Sequence, residues 1–207
     1  MRNAGLLLIL SCLIPLGLVL AQAPVPVTPL QGTTPEPAPT HFTLELYYEH
    51  ESDHAFAQAE AAKLIALVHS LAPHIDLQVL VFQATDIKRV KFPYGGVIHD
   101  VPTEAPSRDD RQSLLISSED VGAEGWAGEH QGCLSKAKLV ALVQRGGDSA
   151  DVTIHEWLHT IAGLEINGRK IPNPHTNAAF GFPLPTERSP NGIYTWHAWY
   201  AFMLREH

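Results

Sequence analysis

Two stretches of this chain place histidines four residues apart with a glutamate after the first: His50-Glu51-Ser52-Asp53-His54 and His155-Glu156-Trp157-Leu158-His159. On a helix, residues four apart share one face, so two imidazoles at that spacing can reach a single ion. Zn2+ suits nitrogen ligands in a site that keeps one position open. A glutamate beside the first ligand can take a proton from water polarised by the metal. With twelve histidines in the chain the spelling alone decides little, and the flanking residues separate the copies. The first copy straddles a strand end and a helix start, with Glu49 and Asp53 bringing charge to the packing face. Around the second copy Val152-Thr153-Ile154, Trp157-Leu158 and Thr160-Ile161 are uncharged. Asp148 or Ser149 can cap a helix there, and Asp151 in the first turn suits its dipole. Ile154, Leu158 and Ile161 give that helix a buried stripe, and Gly163 stops it. The expected metal helix is therefore the second copy, with His155 and His159 as ligands and Glu156 as general base.

A catalytic zinc takes a third protein ligand. After Glu156 the histidines are His159, His175, His197 and His207, the glutamates are Glu165, Glu187 and Glu206, and aspartate is absent. His175 is the preferred third ligand, because Ile171-Pro172-Asn173-Pro174-His175 is a stiff loop that can return a side chain to the helix. Glu165 and Glu187 are the alternatives.

The His155–His159 stretch resembles the HExxH helix of the zincin metallopeptidases. Ala162 and Glu165 stand where the metzincin branch has Gly and His, and the missing downstream aspartate excludes the aspzincin arrangement. The chain is also similar to a group of bacterial secreted zincin-type proteins. In these a His-Glu-Trp-Leu-His helix is followed by a Pro-rich stretch ending in His, a Gly-aromatic pair and a Trp/Tyr-rich final helix. The matching residues are Pro172-Asn173-Pro174-His175, Gly181-Phe182 and Trp196-His197-Ala198-Trp199-Tyr200. Asn173 departs from the acidic residue expected at that position. The resemblance implies a zincin-like fold, a Zn2+ cofactor and a peptide or protein substrate. A non-catalytic binding protein on the same scaffold, or a zinc amide hydrolase acting on cell-wall material, are the competing expectations. Tyr194, Tyr200 and His197 are weaker candidates for stabilising an oxyanion.

Several elements must position this helix. Phe42, Leu44, Leu46 and Tyr48 alternate with polar residues, a period of two that predicts a strand. Ser52 or Asp53 can cap a helix to about Ser70, with Ala57, Ala61, Leu64, Ile65 and Val68 as its apolar stripe. Leu77 to Phe82 reads as a buried strand and Gln112 to Ile116 as another. Lys91 to Pro106 is expected to be an irregular excursion, Asp120 to Gly132 a Gly-rich loop, and Lys138 to Val143 a strand. The aromatic segment Ile193 to Leu204 predicts a helix packed on the core. Strands interspersed with helices point to an α+β fold, a zincin-like single domain with a mixed sheet over residues 41–207.

What precedes residue 41 reads differently. Arg2, the apolar run Leu6–Leu20 and Ala21-Gln22-Ala23 have the order of a secretory signal peptide over residues 1–23. The run is shorter than the roughly 20 residues that span a bilayer, so no stable membrane span is expected after cleavage. Ile9-Leu10-Ser11-Cys12 offers a minor route to lipid anchoring through Cys12. Residues 24–40 hold six prolines and read as an extended linker. The expected destination is secreted, extracellular or periplasmic. A formal charge of −8 with no basic run argues against nucleic acid as a partner.

Overall fold

The computed structural model describes residues 40–166, 169–171, 173, 174, 200 and 204. In chain order the elements are β1 (Thr40–Tyr48), α1 (His54–Leu71), β2 (Ile75–Gln83), β3 (Ile87–Tyr94), β4 (Val97–Glu104), β5 (Gln112–Ser117), β6 (Gly125–Ala127) and β7 (Gln131–Ser135). Then come α2 (Lys136–Gln144), α3 (Ser149–Ile161) and the two-residue strands β8 (Glu165–Ile166) and β9 (Arg169–Lys170). The main sheet has the order β2-β1-β5-β7-β6; the first four strands are parallel and β6 runs antiparallel at the edge. This is an α+β domain with a mixed sheet and, among the described residues, three α-helices.

Alternation along the strands builds the core. Phe42, Leu44, Leu46 and Tyr48 of β1, with Leu114 and Ile116 of β5 and Leu134 of β7, face α1 and α3. Trp157 of α3 is fully buried among them, edge-on to Phe42 with ring centroids 5.6 Å apart. Such an aromatic anchor costs about 3–5 kcal/mol to truncate. The other sheet face carries the β3–β4 hairpin: Ser113 Oγ donates to the Glu104 carbonyl, and Thr103 Oγ1 donates to Gln131 Oε1. Also on that face Cys133, buried on β7, pairs with Trp126 of β6. Glu45 is buried there as well, holding Tyr47 Oη, both Ser107 donors and Arg111 Nη1.

Several expectations need correction. Lys91 to Pro106 is not irregular: most of it lies in the antiparallel β3–β4 hairpin, whose turn uses Gly95 and Gly96 at positive φ. The loop expected at Asp120–Gly132 contains β6 and the start of β7, strands too short for a periodic signal. Lys138 to Val143 is helix, part of α2; Leu139 and Leu142 point inward three residues apart while Val143 is 45% exposed. A near-continuous apolar run is ambiguous between strand and helix, and here burial follows the helical spacing. Ile65 is also exposed, and Glu60 takes an inward place on α1 instead. β1 opens at Thr40, one residue inside the expected linker. The segments 1–23 and 24–39 lie outside the described residues, as do 193–199. No helix among the described residues is long and apolar enough to cross a membrane.

Candidate metal centre

The first His-Glu-x-x-His copy does not form a shared face. His50 precedes a short 3₁₀ turn at Glu51–Asp53, and His54 is the first residue of α1. Asp53 occupies the N-cap position of α1 without capping it; its carboxylate instead takes Lys136 Nζ at 2.5 Å.

The second copy lies wholly on α3. Asp148 caps the helix, its side chain accepting from Ala150 N at 3.0 Å. Ile154, Trp157, Leu158 and Ile161 are fully buried, which pins the helix against the sheet and fixes its rotation. At its end Gly163 adopts φ +88°, a left-handed conformation that costs glycine no steric strain, and its N–H bonds to the Ile171 carbonyl. His130 N donates to Thr160 O at 3.1 Å, tying the β6–β7 turn to the last turn of α3. Edge strand and helix are thus held side by side.

With that rotation fixed, His155 Nε2 and His159 Nε2 converge to 3.3 Å, their rings crossing at 81°. Two nitrogens at about 2.0–2.1 Å from one tetrahedral Zn2+ are separated by about 3.3–3.4 Å. The pair therefore fits the bite of that ion, whereas 3.3 Å is long for an N–H···N bond between rings. His155 Nδ1 meets the hydroxyl of Tyr200 at 3.0 Å.

Glu156 lies next to this pair and is 7% exposed. Burial, with the Glu124 carboxylate adding to it, pushes its carboxyl up to about 8. It is packed against Gly125 of β6: a Cβ on that glycine would stand 2.6 Å from Glu156 Cγ, 2.9 Å from Cδ and 3.0 Å from Oε1. Only a residue without a side chain leaves room for the carboxylate in this position. β6 is the sheet's outer strand and pairs only with β7 among the described residues.

His155, Glu156 and His159 are thus brought together. His175 and Glu187 lie outside the described residues. Glu165 is exposed on β8, and among the described residues no third His, Cys, Asp or Glu joins the two histidines in a ligand group. Sequence reasoning missed Gly125 and the contact between Tyr200 and His155. The first sat in a segment read as loop; the second joins residues 45 apart. Comparison of the chain with protein-family models, with curated proteins and with solved structures finds no match.

Proposed function

We propose that this protein is a secreted zinc-dependent peptidase, with Zn2+ held by His155, His159 and, from the sequence that follows β9, His175. The observation that carries this reading is the 3.3 Å approach of the two Nε2 atoms beside a buried glutamate. Bound there, the ion supplies Lewis-acid polarisation of a water and of the scissile carbonyl. Glu156 takes the proton of the attacking water and passes it to the leaving amine. Burial pushes this carboxyl up to about 8, close enough to neutral pH for it to exchange a proton during the reaction. The edge of β6 that no described strand covers favours a peptide over other substrates, since an extended chain can add to it as a further strand alongside Glu156. Its short Gly125-Trp126-Ala127 run suits pairing over a few residues around one bond. The leader-like residues 1–23 and the proline-rich 24–40 support export from the cytoplasm.

The test combines metal analysis of the purified protein with cleavage of a peptide library by the wild type and Glu156→Gln. Stoichiometric zinc in both, with hydrolysis only in the wild type, is expected. Bound zinc without cleavage of any peptide points to a binding protein on this scaffold, and cleavage of peptidoglycan alone to a cell-wall amidase. Full activity in Glu156→Gln refutes the role given to that residue.

A further inference from the structure

The contact between Tyr200 and His155 connects the end of the chain to the metal helix, and its chemistry is constrained. A neutral imidazole carries one proton, and the hydrogen bond made by one ring nitrogen selects which nitrogen holds it. Nε2 of His155 faces His159 and can offer a lone pair there only when the proton sits on Nδ1. The atom at Nδ1 is the Tyr200 hydroxyl oxygen, 3.0 Å away and 2% exposed as a residue, so water does not compete for it. Tyr200 is itself well held. Four residues on, the Leu204 carbonyl meets His74 Nε2 at 2.7 Å, and the Leu204 side chain is buried in the helix-side core.

We propose that Tyr200 is a positioning residue of the metal centre: its oxygen accepts the Nδ1–H of His155 and thereby turns the Nε2 lone pair toward His159. This rests on the reading of His155 and His159 as metal ligands. The usual partner of a ligating histidine is a carboxylate or carbonyl. A neutral phenol orients the ring without adding a negative charge beside the buried Glu156.

The experiment compares the full chain with Tyr200→Phe, which removes only the hydroxyl. Zinc affinity is measured by chelator competition, the His155 ring protons by nitrogen-resolved NMR, and the metal-free thermal midpoint by circular dichroism. Phe is expected to weaken zinc binding by about 10–100-fold. In the zinc-loaded wild type the Nδ1 proton exchanges slowly with water; in the variant it exchanges fast, with a similar thermal midpoint. Equal affinity, or an equally protected Nδ1 proton, overturns the assignment while leaving the centre intact. Failure of the wild type to bind zinc refutes the metal reading instead, and the metal-free spectra then decide. Nδ1–H in the wild type with Nε2–H in the variant upholds the selection of the His155 tautomer by Tyr200, and Nε2–H in both overturns it. Should Tyr200→Phe not fold, 3-fluorotyrosine at 200, a weaker acceptor, must lower zinc affinity; unchanged affinity overturns the proposal.

Discussion

Replacing Gly125 by alanine isolates what the edge strand does for Glu156. The backbone of Gly125 is one that any L-residue adopts, so the added Cβ is the whole perturbation. At 2.6 Å from Glu156 Cγ it sits about 0.8 Å inside ordinary contact, which begins near 3.4 Å. The far end of a flexible chain could swing away cheaply, but Cγ is close to the backbone of a buried helix. Glu156 must therefore move by most of an ångström, or β6 must lift from α3. Overpacking of this kind costs about 1–3 kcal/mol of stability. A carboxylate displaced by about 1 Å from its proton-transfer position costs about 100-fold in rate, close to 2.7 kcal/mol of transition-state stabilisation. His155 and His159 lie elsewhere on the helix face, so zinc content should be unchanged. The assay is kcat/KM on a peptide cleaved by the wild type, alongside metal analysis and thermal melting. A variant with full zinc, a melting point near wild type and undiminished kcat/KM refutes the claim that Gly125 is required to seat Glu156.

Two further predictions concern protons. If Glu156 is near 8 without metal and ionised beside it, zinc binding at pH 7 releases about one proton more from the wild type than from Glu156→Gln; calorimetry in buffers of different ionisation enthalpy measures the difference, and equal release excludes the coupling. Glu45 bears on acid stability. Burial alone would raise it, but donors from Ser107, Tyr47 and Arg111 outweigh that and hold it at about 2, against 4.5 for an ordinary glutamate. A depressed carboxyl contributes stability above its unfolded value, so about 3 kcal/mol is present above pH 4.5 and is lost as pH falls toward 2. Urea unfolding across that range should show the loss in the wild type and a flatter profile in Glu45→Gln; parallel profiles count against the network.

The elements easiest to read from the residues were those with long apolar periods and explicit ends. β1 and α3 are of that kind: strict alternation in one, and Asp148, the Ile154–Leu158–Ile161 stripe and Gly163 in the other. The approach of His155 and His159 was legible because helical spacing converts sequence directly into proximity. β6 was not, because three residues carry no period and its place is set by β7 pairing and by the His130–Thr160 bond. α2 was misread because Lys138–Val143 is apolar enough for either element, and packing decided. Tyr200 was singled out for its chemistry, but its partner depends on how the chain end returns to α3. No local pattern encodes that.

Cys133 lies at 0% exposure opposite Trp126 on the neighbouring strand, and burial pushes its thiol far above the ordinary range, so it has neither the access nor the thiolate needed to react in the native state. A thiol in that position works as a clock for the sheet. Since Cys133 lies on the sheet face that carries the β3–β4 hairpin, next to the edge strand, labelling can proceed only when the hairpin lifts, β6 peels away or the domain opens. The rate of modification under native conditions then reads the free energy of that opening at one named position. Slower labelling with zinc than without would show that metal binding at the proposed site on α3 restrains the sheet beside it.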